Sequence, residues 1–179
     1  LVNHGWQAAF SPAFVTDDGG VSSGAVLACK RLCGFARVLE AGAWDCSPPG
    51  CPGRLCCGLI DSIAKGGVSG ISGYLAVGEG LSVRNEALLM AAGEVIKRHG
   101  GPWLMGADFN CGPETIADAG WDAKLGGQIL AVIDVTFSTG ATSSRKSTIV
   151  FFTVSRDLSL VSPKSSQSRM LDATPISPW

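Results

Sequence analysis

The sequence predicts a mixed α/β domain, and three observations carry that prediction. Apolar residues make up 46% of the 179 positions and charged residues only 16%, enough apolar material for one domain with a substantial core. Several short segments rich in β-branched and aromatic residues are bounded by Gly and Pro, as strands are. Between two of them lies one long segment with helical periodicity, so the order strand, helix, strand recurs as in an α/β unit.

Residues 5–16 mix aromatics with small side chains and end at Thr16-Asp17-Asp18-Gly19-Gly20, a turn by composition. Residues 21–29 read as a strand entered through Ser22, Ser23 and Gly24. Residues 35–39 read as its hairpin partner across a turn near Cys33-Gly34. A loop rich in Cys, Pro and Gly follows over 46–53, then a strand over 54–63 and a turn at Gly66-Gly67. The next strand, 68–77, carries Tyr74, the chain's one tyrosine.

The clearest helix begins after Gly78-Glu79-Gly80. Ser82 is a good N-cap, Glu86 suits the positive end of the macrodipole, and Lys97, Arg98 and His99 suit the negative end. Val83, Ala87, Leu88, Ala91, Ala92, Val95 and Ile96 form one apolar stripe, and Gly100-Gly101-Pro102 stops the helix. His99 is read as a partner of the helix dipole rather than as a base. Farther on, 113–120 is a short helix with Pro at its start and Gly at its end. A strand is expected over 129–135, a polar loop with Arg145 and Lys146 over 138–147, and a strongly β-prone strand over 148–154. Residues 159–179, rich in Ser and Pro, read as a loosely held tail to a domain spanning 1–158.

The stretch with chemistry in it is Trp103-Leu104-Met105-Gly106-Ala107-Asp108-Phe109-Asn110-Cys111-Gly112-Pro113. An apolar run ends where a carboxylate and a carboxamide appear two residues apart. If the strand continues through them, Asp108 and Asn110 share one face while Phe109 enters the core. Such a pair at a sheet end suits a phosphate, a hydrated metal ion or an attacking water. The same spacing also suits a strand end whose Asp and Asn merely cap the next turn, and spacing alone leaves both open.

Formal net charge is −1, so no global basic field announces a polyanionic partner, although local basic surface is compatible with it. No apolar run approaches the about 20 residues that span a bilayer, and no signal-peptide pattern opens the chain, so no membrane association and an intracellular setting are expected. The chain opens at Leu1 without Met and is expected to be a fragment truncated at both ends. Its seven cysteines lack paired C-x-x-C spacing or neighbouring histidines, so reduced thiols are expected and no metal ligands are assigned.

With these residues in view, the chain resembles the endonuclease/exonuclease/phosphatase superfamily, which includes apurinic endonucleases and the endonuclease domains of non-LTR retrotransposons. Ala107-Asp108-Phe109-Asn110 is similar to its G-D-F-N segment. Ser22-Ser23-Gly24-Ala25-Val26 resembles an early glycine-rich strand, and Ile71-Ser72-Gly73-Tyr74-Leu75 the strand carrying an active-site tyrosine. The helix before the motif and the segment 147–155 fall in matching order. The resemblance implies a four-layer α/β sandwich and Mg²⁺-dependent hydrolysis of phosphodiesters or phosphomonoesters, with nucleic acid as a partner. It implies that Asp108 orients or activates water, that Asn110 holds the scissile phosphate and that Tyr74 contacts it; Arg145 is a further substrate-side candidate. Three family features are missing: an early metal-binding Glu, a late Asp, replaced here by Val150, and a C-terminal catalytic His. Groups that act as a unit fail together, so the expectation is impaired hydrolysis, or a non-catalytic descendant that binds nucleic acid or another partner.

Overall fold

The computed structural model describes residues 5–36, 44–61, 65–131, 137–138 and 146–159. Strand β1 (Trp6–Ser11) leads into a small hairpin of β2 (Phe14–Val15) and β3 (Val21–Ser22). The predicted turn closes it, with the Thr16 N–H donating to the Gly20 carbonyl at 2.8 Å. The strand expected over 21–29 is broken, because Ser23 and Gly24 take positive φ of 68° and 104°. It resumes as β4 (Ala25–Lys30), antiparallel to β1.

The predicted hairpin between this strand and 35–39 does not form. A 3-10 turn at Arg31–Cys33 and Gly34, at φ 65°, carry the chain into a different sheet. There β5 (Phe35–Ala36) pairs with β6 (Leu55–Ile60), and the Phe35 ring covers Gly58 and stacks on Trp44 at 5.0 Å. Apolar contact across sheets outweighs sequence proximity here; residues 37–39 of the expected strand lie outside the described residues.

The chain continues through β7 (Val68–Tyr74), α1 (Val83–His99), β8 (Trp103–Asp108), α2 (Pro113–Ala119), α3 (Trp121–Lys124) and β9 (Gly127–Leu130). A short pair, β10 (Phe137–Ser138) with β11 (Lys146–Ser147), precedes β12 (Val150–Ser155) and α4 (Arg156–Ser159). The strand expected over 129–135 thus begins earlier, at Gly127, and residues 132–135 lie outside the described residues. So do Arg145, within the expected polar loop, and all of the tail beyond Ser159.

Six strands join in the order β5-β6-β7-β8-β12-β9. Its parallel pair, β7 with β8, is bridged by α1, because parallel neighbours require a crossover. Ser82 caps α1 by accepting from the Asn85 N–H, and Gly100 ends it in the left-handed conformation at φ 69°. Leu88, Ala92, Val95 and Ile96 pack on Leu55, Ile71, Met105 and Phe151 to make the principal core. The predicted helical stripe omits Leu89, which is buried in the core, and needs correction at its start. Val83 is 85% exposed, and its place is taken by Asn85, which is fully buried and bonded to backbone beyond the strand end.

On the opposite face, the β1–β4 sheet lies across β6 and β7, with Ala9, Ala25 and Cys56 buried between them. Gly70 allows that approach: a Cβ there would come within 2.9 Å of the Leu27 side chain. The described residues thus form a helical layer, a six-stranded sheet and a two-stranded sheet, a mixed α/β architecture.

Candidate functional site

Sheet register brings the site together. Tyr74 pairs with Asp108 across the parallel β7–β8 junction, and Val150 pairs with Asp108 across the antiparallel β8–β12 junction. Trp103, Met105 and Ala107 point into the helical core, so Asp108 at the end of the same strand faces the β1–β4 side. One residue ahead of β6, Arg54 is level with Tyr74, whose N–H donates to the Arg54 carbonyl at 2.9 Å. The sheet end therefore reads Arg54, Tyr74, Asp108, Val150 across neighbouring strands. Asp108 and Val150 line an open cleft of ≈ 340 Å³ between the β4 edge and the large sheet, with Leu27, Ser72 and Phe152 among its walls.

Asn110 departs from the expected strand geometry. The strand ends at Asp108, and Asn110 sits in the left-handed region at φ 51°. Its backbone N–H donates to Asp108 Oδ1 at 3.2 Å, an Asx-type turn, and its Nδ2 donates to the Leu75 carbonyl at 2.7 Å. Phe109 enters the core as expected and stacks on Phe151 at 4.1 Å, which pins the turn. Of the two alternatives left open by the spacing, the turn is the one this geometry shows; Asp108 also lines the cleft.

Electrostatically the corner is unusual. Burial pushes the Asp108 carboxyl above the ordinary aspartate range, partly offset by the Asn110 N–H. The Arg54 guanidinium stands 5.1 Å from the Tyr74 ring centroid and donates through Nη1 to the Tyr74 carbonyl at 3.3 Å. Burial, and then the charge of Arg84, lower its pKa from the ordinary arginine value. Arg54 was not among the residues singled out from the sequence. Its one signal is a cation directly before a strand that pairs with the tyrosine strand.

No protein-family model and no curated protein sequence matches the chain. In three dimensions it is similar to the human Nocturnin catalytic domain, solved with a bound sulfate anion, at TM-score 0.55 and 12% identity over 87% of this chain and 62% of that one. It is also similar to an endonuclease/exonuclease/phosphatase family protein from Bacteroides thetaiotaomicron, at TM-score 0.57 and 16% identity over 86% of this chain and 62% of that one. The likeness is one of fold, a mixed α/β architecture shared with both proteins. The chain spans less than two thirds of the length of either protein.

The family resemblance read from the sequence implies Mg²⁺, and the described residues do not fit the ion. Among them no three of His, Cys, Asp and Glu form a group that could hold a metal ion. Asp108 has Tyr74 and Val150 as its strand neighbours, neither a ligand for a hard cation, and burial biases its own carboxyl toward the neutral form. The cysteine-rich loop offers no substitute. All seven thiols are free. Cys46 is pushed up by its hydrogen bond to Cys57 and by burial, and Cys56 is pushed up to about 11, chiefly by burial. The loop has a positional role instead: Ser47 Oγ accepts the backbone N–H groups of Arg54 and Leu55 at 2.9 and 2.8 Å.

His99 and Arg156 both lie at the far end of the sheet. His99 Nε2 is 3.1 Å from the Gly66 carbonyl, and the Arg156 N–H donates to the Gly126 carbonyl at 3.2 Å. Arg156 follows the last residue of β12, whereas Val150, at the cleft, is the first.

Proposed function

We propose that this chain is a degenerate phosphoesterase-type domain, a four-layer sandwich with a reduced second sheet, whose cleft receives a nucleic-acid phosphoester but turns it over very poorly. Asp108 is assigned the water-orienting role, Asn110 and Tyr74 contact with the phosphate, and Arg145 a substrate-side role. The association with retroelement endonucleases rests on the motif resemblance.

The observation that carries the reading is the pairing of Val150 with Asp108. A methyl-bearing side chain stands beside Asp108, so among the described residues no second carboxylate is paired with it to share a cation or orient a base. Two further features support poor turnover. One of the two Asn110 Nδ2 hydrogens is already committed to the Leu75 carbonyl, and burial raises the Asp108 pKa. Preorganised donors and fixed charge supply most of the acceleration in such sites, so a corner with one half-committed amide and a carboxylate harder to ionise is a slow one.

The test is incubation with supercoiled plasmid and with an abasic duplex in Mg²⁺, alongside Asp108→Ala. We expect little or no cleavage, unchanged by the substitution; strong cleavage that depends on Asp108 overturns the reading. The buried cation Arg54 favours binding without cleavage as the second reading, whose signature is salt-sensitive association, since phosphate contacts release counterions.

A further inference from the structure

We infer that Arg54 is the anion-holding residue of this sheet end, with its guanidinium placed to receive a phosphate oxygen at the Tyr74 end of the row. The inference rests on the phosphoester reading above and adds the group that would supply its binding energy.

Four observations meet at this residue. Arg54 is 5% exposed, yet its Nε is buried without a hydrogen-bond partner among the described residues. Glu79, a carboxylate whose field reaches it, is already engaged by Arg84 at 3.3 Å and by the Ser82 hydroxyl at 2.8 Å. The protein contacts it does have are weak for a guanidinium: one long bond to a carbonyl and a stacked ring. Its backbone is held from both sides, by Ser47 Oγ on the N–H and by the Tyr74 N–H on the carbonyl.

A buried cation whose neighbouring carboxylate is already shared with another arginine is unfavourable in a finished core, because its desolvation is only partly balanced. A planar fork with spare donors, rigidly mounted beside the tyrosine, is what a tetrahedral oxyanion requires. Arginine is also more weakly hydrated than lysine, so it tolerates the site while empty. Burial raises the pKa of the neighbouring Asp108, so protonating it as an anion arrives costs less than for an ordinary aspartate.

The experiment is thermal unfolding of the full chain with and without inorganic phosphate, plus fluorescence anisotropy with a short labelled DNA duplex, for wild type, Arg54→Met and Asp108→Ala. We expect phosphate to raise the wild-type Tm, as a ligand of the native state must. Arg54→Met should melt at or above the unliganded wild type, having lost an uncompensated charge, and should show no phosphate-dependent rise. Its duplex affinity should fall at least about tenfold. A purely structural arginine predicts the reverse, a lower unliganded Tm with the phosphate shift intact. That result overturns the inference while leaving the phosphoester reading standing, provided wild type binds the duplex in a salt-sensitive way. If wild type binds neither phosphate nor duplex, both fall. Should Arg54→Met fail to fold, the Arg Nε–H signals of ¹⁵N-labelled wild type decide the matter: a phosphate-perturbed Arg54 signal supports the assignment, and an unmoved one overturns it.

Discussion

At the scale of single residues, the site turns on Asp108. Its folded-state pKa is raised by burial, so the native state holds the proton more tightly than the unfolded chain does. The ionised carboxylate therefore destabilises the fold above the folded pKa, and that penalty disappears as pH falls through the ordinary aspartate value. Asp108→Asn keeps the oxygen that accepts the Asn110 N–H and removes the titration. We expect the variant to melt above wild type at neutral pH, with the gap closing below about pH 4; a gap that widens on acidification contradicts the assignment. Asn85 is the other residue whose importance lies in bonds rather than spacing. Its Oδ1 accepts the Ala76 N–H at 2.7 Å, and its Nδ2 donates to Ala76 and Gly80 carbonyls at 3.1 and 2.7 Å. Nothing in a helical periodicity marks a buried asparagine, because that pattern scores apolarity and the reason for this burial is a loop's unpaired backbone.

At the scale of elements, β12 shows how alternation divides one strand between two fates. Phe151 is fully buried and stacked on Phe109, whereas Phe152, directly after it, is 47% exposed and lies over Gly106. Phe151→Ala should destabilise the protein by about 3–5 kcal/mol, the range for emptying a buried aromatic site. Phe152→Thr should change stability by about 1 kcal/mol or less, since threonine suits a strand and half of the ring already meets solvent. Chemical denaturation of both variants checks the contrast, and equal losses would mean that the strand faces are misassigned. The elements legible in the sequence were those set by local rules: Ser82 and Gly100 at the ends of α1, Pro113 and Gly120 at the ends of α2, the Gly66-Gly67 turn. The failed element, the hairpin over 21–39, was one whose partner is chosen at long range. Phe35 finds Gly58 and Trp44 across the sheet, and no local signal at Cys33-Gly34 announces that choice.

At the scale of the whole molecule, the two-stranded sheet shields only part of the large one. β1 and β4 pack on β6 and β7, while Val150, Phe152 and Leu130 on the neighbouring strands are 42%, 47% and 44% exposed. We expect the native protein to enhance the fluorescence of an apolar dye such as ANS at neutral pH while still unfolding cooperatively, and Phe152→Thr to reduce the signal. Dye binding that persists without cooperative unfolding would indicate a loosely packed state instead, and absence of binding would show this face to be covered.

By itself, the sequence determined the α/β class, the long capped helix, the burial of Phe109 and the identity of a polar corner at Asp108 and Asn110. These depend on periodicity, capping and turn chemistry, all of which act over a few residues. Only the tertiary structure decided what surrounds that corner. Register across β6, β7, β8 and β12 sets Arg54 level with Tyr74, and Tyr74 and Val150 beside Asp108. It also closes Asn110 onto the Leu75 carbonyl. Register is settled by the packing of whole faces against one another, and a one-residue slip would exchange every neighbour named here. The residues of the corner are therefore local facts of the chain, and their partners are global ones.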